Sequence, residues 1–543
     1  MKDTKVKAIR PSLSPGTSTI FVEPEVEEGV IIKNANSDAA EPDIDPRITF
    51  SKKPASSKEK EVELNVKEGI TEVDIDHDGP QPLEPLYIDF EPGDPRNPIN
   101  FSRSKKWAIT ALACFSTLLA SSNASTYTLG FDSMIIDLNC TEFQATIGLS
   151  LYTLGFGVVP LVTASFSEEI GRQPLYYISA SGVLLMYIGI ALAHNIQTVL
   201  ISRFIQGAFA STWATMVGGT IADIWQTHER GLPMSLFSVA AIGGSGFGPL
   251  YAGWIQMNPR LQWRWIQWIQ MIITGFYLVL VPLISRETRS SIILTRIARR
   301  MRQKTGNPRY RARVEDERAK LSTLIWVSCT RPIPSSIYLS QSYLQQSPLS
   351  IGSVFKTLHG FNTGQVGTVF VTFMIGTLFG FCTNFFQERL YRKNYPNRGP
   401  EARLYYACGA AILVPCGMFI YAWSTFTDVP WIALTIGITI FVHGTFIIYL
   451  AVFTYLADCY GPFASSALAG QSLCRNIAAT AFPLFTQQMY AEMSYKWANT
   501  MFGCIACLLM PIPFILFFYG PRIRARSKFS RVVMQTLEES QKK

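Results

Sequence analysis

Apolar residues along this 543-residue chain gather into runs of helix-spanning length, separated by short polar breaks. From Trp107 onward one run follows another, each close to the ~20 residues needed to cross a bilayer. They predict membrane helices at about 107–129, 144–166, 175–194, 198–224, 232–256 and 265–285. After a basic hydrophilic stretch from Arg286 to about Phe361, five more follow at about 364–386, 404–424, 429–456, 463–486 and 498–519. The first 100 residues hold no such run. They are rich in Pro, Ser, Glu and Asp, too poor in apolar side chains to offset ordering entropy, and are expected to be disordered. They show no cationic start followed by an apolar core, so insertion is expected to begin with the first membrane helix. The pattern divides the chain into a tail (1–100), a six-helix half (101–285), a central loop (286–361), a second half (362–520) and a closing tail (521–543).

Composition removes most alternatives. Charged residues are 16% of the chain and hydrophobic ones 48%, against about 25% charge in an ordinary soluble domain. This argues for an all-α polytopic membrane protein and against a soluble enzyme. Ten cysteines are too sparse for a disulfide scaffold. Cys504 and Cys507 have redox spacing but lie in an apolar run, where packing is the simpler reading. The five histidines are scattered without metal-ligand spacing, so no metal is expected. No phosphate-binding loop is present, which counts against an ATP-driven pump, and no cofactor is expected.

Charge changes the picture again. Residues 1–100 carry 12 Lys+Arg and 21 Asp+Glu, a net of −9, whereas the rest carries 36 and 18, a net of +18. Lys and Arg concentrate in cytoplasmic loops. Arg103, Lys105 and Lys106 precede the first span, Arg172 follows the second, Arg230 the fourth, and the central loop is densely basic from Arg296 to Arg318. The alternate loops hold Asp132, Asp137 and Glu142, or His194 and Asn195. Both the N-terminus and the central loop are therefore expected inside. With only five later spans, the loop carrying Arg389, Arg392, Lys393 and Arg398 would fall outside, as would the tail carrying Arg522, Arg524, Arg526 and Lys528. The charges demand twelve helices, so one is missing between Arg331 and Phe361. That interval holds Gln341, Gln345, Gln346, five serines between 335 and 347, and three prolines. Either a weak, short or re-entrant helix forms there, or about one helix-length of sequence has been lost. The basic clusters read as topology signals beside anionic lipid, not as a nucleic-acid surface.

Three segments carry specific chemistry. After the second span comes Ser167-Glu168-Glu169-Ile170-Gly171-Arg172-Gln173-Pro174, a carboxylate and a cation flanking a glycine. The fourth span contains Ser202-Arg203-Phe204-Ile205-Gln206-Gly207, and an arginine inside an apolar helix is by default a functional candidate. Snorkelling or structural pairing is the bland alternative. The fifth span contains Gly243-Gly244-Ser245-Gly246-Phe247-Gly248-Pro249 and then Ala252-Gly253. Small residues there let helices approach closely, and Pro249 removes a backbone donor.

Together these segments resemble the signature motifs of the major facilitator superfamily, which is built from paired six-helix repeats. The resemblance implies a cytoplasmic latch in which Glu168 is the carboxylate and Arg172 its partner, weakened because Gln173 stands where the family has a second base. It implies proton coupling through Arg203 and Gln206. The glycine-proline register of Gly244, Gly248, Pro249 and Gly253 resembles the antiporter motif of drug:proton exporters. Further stretches, such as Tyr455-Leu456-Ala457-Asp458 and Pro511-Ile512-Pro513-Phe514, resemble the fungal drug:proton antiporter family of multidrug, polyamine and metabolite exporters.

The expected function is thus proton-coupled efflux of small organic molecules by a plasma-membrane monomer with both termini cytoplasmic. Asp223 and Asp458, near helix ends, are read as gate or latch residues. Asn123, His443, Tyr449 and Arg475 are candidate cavity residues. Without mid-membrane acids, neutral or anionic metabolites, organic acids or toxins rank above polyamines. A facilitated permease of the same fold and a non-transporting product lacking one helix are the competing readings. Asn139-Cys140-Thr141 is a glycosylation acceptor in the first outer loop.

Overall fold

The computed structural model describes residues 49–50, 85–226, 229–316, 350–460 and 464–526. In chain order, two short strands come first, β1 (Thr49–Phe50) and β2 (Leu86–Asp89). The first set of helices is α1 (Arg103–Leu129), α2 (Phe131–Asp137), α3 (Glu142–Val158), α4 (Pro160–Glu169), α5 (Arg172–Ala191), α6 (Ile196–Ile224), α7 (Gly231–Met257) and α8 (Gln262–Ile284). Then follow α9 (Ser290–Thr305), β3 (Tyr310–Arg311), α10 (Arg313–Asp316) and a helical segment over 350–359, here α11. The last set is α12 (Thr363–Val369), α13 (Val371–Arg398), α14 (Tyr405–Trp423), α15 (Trp431–Tyr460), α16 (Ala464–Leu509) and α17 (Pro511–Arg526).

Among the described residues, seven helical stretches are long and apolar enough to cross a membrane. Two of them, Thr363–Trp423 and Gly470–Ile523, run to 61 and 54 residues, far beyond the ~20 of one crossing. Each is two crossings. The first turns at the 3-10 segment Gly399–Leu404, the second at Ser494, where the backbone leaves helical geometry. The seven stretches, the second crossing of each long one, and α6 and α7 account for the eleven spans the pattern predicts. Helix ends differ from expectation where polar residues continue a helix beyond the bilayer. α13 runs to Arg398, so Arg389, Arg392 and Lys393 lie on it and not in a loop. The second span breaks between α3 and α4 because Pro160 opens a new helix.

The interval expected to lack a helix ends in one. In α11, Ser350, Ile351, Val354 and Phe355 are buried, and the helix stops at Gly360, whose φ of +64° suits glycine. Tyr490 Oη donates to Ser350 Oγ at 2.8 Å, and Lys356 Nζ pairs with Asp132 at 2.6 Å. The polar stretch from Arg331 to residue 349 lies outside the described residues.

The chain divides into two compact units, one comprising residues up to Phe101 with Ser290–Arg318, the other the remainder. In the smaller unit, β1 pairs antiparallel with β2, and β2 parallel with β3. Ile88, Ala298, Met301, Tyr310 and Ala312 form its buried cluster. Arg302 grips both carboxylate oxygens of Glu315, at 2.7 and 3.1 Å. This corrects the expectation of disorder throughout 1–100. Leu86 and Ile88 find apolar partners more than 200 residues away, a pairing no local window reveals. Residues 1–48 and 51–84 lie outside the described residues.

Candidate functional site

Two charge clusters occupy the end of the helical unit from which α5 and α7 start. In the first half, Arg172 Nε donates to Asp223 Oδ2 at 2.6 Å, and Arg289 adds a second cation at 3.5 Å from the same carboxylate. Arg172 is buried, and its backbone N–H donates to Glu287 at 3.1 Å. Gly171 is required here: its φ is +102°, and a Cβ would strike the Glu287 carboxylate. Asp223, expected as a gate or latch residue, is thus a partner of Arg172. Among the described residues, Asp223 from the end of α6 faces the Arg172 guanidinium, whereas the Glu168 side chain lies outside them.

The second half repeats the device with residues that motif reading missed. Arg403, in the turn before α14, reaches Asp458 Oδ2 at 3.0 Å and Glu388 Oε1 at 2.5 Å. Tyr391 Oη donates to the same Asp458 oxygen at 3.1 Å, and the guanidinium lies over the Tyr391 ring. Burial alone would lower the Arg403 pKa, but Asp458 and Glu388 outweigh it and the net shift is upward. A signal for Arg403 was present. Arg172 precedes Asp223 by 51 residues and Arg403 precedes Asp458 by 55, the spacing of a repeated half.

Arg203 is fully buried on α6. Its Nη1 donates to Asn123 Oδ1 at 3.1 Å and to Gln206 Oε1 at 3.0 Å. Its guanidinium carbon lies 4.2 Å from the Tyr127 ring and 4.4 Å from the Tyr152 ring. Arg203 is therefore held in an aromatic cage by neutral acceptors, which are affordable for a buried cation only when the donors and rings are well aligned. Gly207 sits where α6 meets the Tyr152 carbonyl, too close for any side chain.

Tyr152 also lines a cavity of about 70 Å³ between the two halves. Thr117, Ala120 and Ser121 of α1, Tyr152 and Phe156 of α3, and Ala241 and Ser245 of α7 line one side; Phe373, Tyr449 and Arg475 line the other. Arg475 is the one charged side chain in this lining, 5.7 Å from the Tyr449 ring. Two candidates fall elsewhere. Asn123 is turned behind the wall to hold Arg203, and His443 of α15 is not among the lining residues. Asn139 is exposed at φ +49°, in the turn before α3, where its neighbour Thr141 caps the helix.

The glycines of α7 serve two neighbours. A Cβ on Gly244 or Gly248 would lie 2.8 Å from the Leu118 carbonyl or 2.7 Å from the Ser122 carbonyl of α1. On Gly253 it would lie 2.6 Å from the Thr363 carbonyl, across the junction of the halves. The carbonyl of Pro249 itself leaves no room for a Cβ on Gly367 of α12. Gly253→Val is expected to cost about 1–3 kcal/mol as overpacking and to shift the transporter away from the state in which this end of the junction is closed. Thermal unfolding of purified protein, with cysteine accessibility near Thr363, checks both. Unchanged unfolding and accessibility would contradict the packing assignment.

The family model described as Major Facilitator Superfamily matches residues 113–483. The chain belongs to the major facilitator superfamily. Efflux pump atB of Aspergillus terreus is 32% identical over 461 residues, which span 80% of this chain and 88% of the relative. The ascochitine biosynthesis cluster MFS transporter of Didymella fabae is 31% identical over 481 residues, 83% of this chain and 91% of the relative. Among solved structures, the proton:xylose symporter XylE superposes with a TM-score of 0.56 at 17% identity, covering 77% of this chain and 96% of the symporter. That likeness shows the fold alone. As a superfamily member, this protein is a multi-pass membrane transporter of small molecules and not an enzyme.

Proposed function

We propose that this transporter exports small neutral or anionic organic molecules, such as secondary metabolites, organic acids or toxins, in exchange for protons. The observation that carries the substrate class is the cavity lining. Its aromatic and small residues suit an apolar organic body, and Arg475 is the one charged side chain that lines it. A polyamine would meet a like charge there. The direction rests on the α7 glycine-proline register and on relatives named as efflux pumps. Proton exchange, with no cofactor, rests on the resemblance of the Arg203 segment to the family's coupling motif. The protein is read as a plasma-membrane monomer with cytoplasmic termini, because the basic loops cluster at one end of the bundle.

Metabolite profiling of medium from a deletion strain, followed by counterflow of the depleted compounds in proteoliposomes, tests the class. Arg475→Gln is expected to weaken apparent affinity for an anionic substrate by about tenfold, one lost ion pair of about 1.4 kcal/mol, with little change for a neutral one. Export of spermidine driven by a proton gradient would overturn the reading.

A further inference from the structure

We infer that Phe237 of α7 and Phe453 of α15 form an aromatic gate that seals the cavity from the end carrying the two charge clusters. α7 starts at that end and α15 finishes there, so stepping toward it means moving down in number on α7 and up on α15. Ala241 and Tyr449 line the cavity. One helical turn further on lie Phe237 and Phe453, on the same faces of their helices. Their ring centroids are 5.4 Å apart, and Tyr449 completes the group at 4.4 Å from Phe453 and 6.2 Å from Phe237. All three are buried, Phe237 to 1% exposure. Phe237 belongs to the first half and the other two to the second, so the stack exists only while the halves are together at this level.

The charged layer lies one turn beyond. Asp458 follows Phe453 by five residues on α15, bound to Arg403, which also holds Glu388. Glu388 in turn presses on Gly231, the first residue of α7, with no room for a Cβ between them. The two layers have different chemistry. The ion pairs are themselves buried, Arg403 to 2% and Asp458 to 4% at the side chain, but they join groups of one half to each other, whereas the rings meet across the halves. The rings therefore do the sealing, and the ion pairs shape the second half beside them, where Glu388 packs against Gly231 of the first. Tyr449 belongs to both cavity wall and seal, so a substrate that displaces its ring loosens the gate directly. In an alternating transporter a contact between halves on one side must break when that side opens, and apolar rings part without leaving unpaired polar groups behind.

The test uses the full-length protein with Ser245→Cys, a cavity-lining position, labelled by a membrane-impermeant maleimide in vesicles of each orientation. Rates are read above the Ser245 parent, which keeps its native cysteines. Phe237→Ala and Phe453→Ala are expected to raise labelling from the face carrying the basic loops by tenfold or more, and to leave labelling from the opposite face unchanged. Phe237→Leu and Phe453→Leu keep apolar bulk while removing the flat ring faces. They are expected to raise it less, and carry the test if the alanine variants do not fold. Asp458→Asn is the contrasting arm, expected to change labelling less than either alanine. Unchanged labelling in the ring variants, an equal rise from both faces, or a larger rise in Asp458→Asn would each overturn the gate. The readout needs no substrate, so its failure is separate from failure of the export reading.

Discussion

Arg203→Ala is expected to lower proton-driven efflux about 100-fold while the protein still inserts and folds. The side chain is fully buried and donates to Asn123 and Gln206. Hydrogen bonds from a charged group contribute about 1.5–3 kcal/mol each, and the Tyr127 and Tyr152 rings add about 0.5–2 kcal/mol apiece. Removing the guanidinium leaves the Asn123 and Gln206 carbonyls without their donor, and takes the cation from beside the Tyr127 and Tyr152 rings. Arg203→Lys should not restore activity, because an ammonium can donate to both acceptors but has no planar face to lay against the Tyr127 and Tyr152 rings. Efflux against an imposed proton gradient in vesicles, compared with substrate counterflow without a gradient, separates coupling from binding. Gradient-driven efflux at the parent rate in Arg203→Ala would sink the coupling role.

Arg403→Gln is expected to be among the most destabilising single changes in the molecule, costing about 3–5 kcal/mol. Arg403 is 2% exposed at its side chain, and its partners Asp458 and Glu388 are 4% and 15% exposed. Removing the cation leaves two carboxylates close together in a buried site with Tyr391. The double variant Arg403→Gln, Asp458→Asn should recover a substantial part of the loss, since only Glu388 then lacks a partner. Thermal unfolding in detergent across the single and double variants provides the cycle. Full additivity of the two changes would show that the pair does not interact.

Sequence reading located the membrane spans because bilayer thickness imposes one length on every crossing, and it located Arg172, Arg203 and the α7 glycines because backbone shape and buried charge restrict residue type. It named Asp223 and Asp458 as latch residues but not Arg403, since the second-half motif lacks the short Gly-Arg signature and its members are drawn together only by the turn before α14. It grouped Asn123 with the cavity because a helix position does not by itself tell which side of a wall a side chain takes. Asn123 faces away, toward Arg203. The aromatic gate had no local signal at all. Phe237 and Phe453 are two of 35 phenylalanines, and only the crossing of α7 with α15 distinguishes them.

The strand Leu86–Asp89 carries a practical consequence for anyone shortening this protein. Hydropathy suggests trimming everything before the first membrane helix. Yet Ile88 is 1% exposed against Ala298, Met301 and Tyr310, so a cut at residue 100 would strip the cover from an apolar surface in the middle of the polypeptide. A cut at residue 84 keeps that cover. The shorter version should aggregate in size-exclusion chromatography and the longer one should elute as a single species. The acidic leader is thus divisible, and its last fifteen or so residues behave as a detached piece of the loop that joins the two halves.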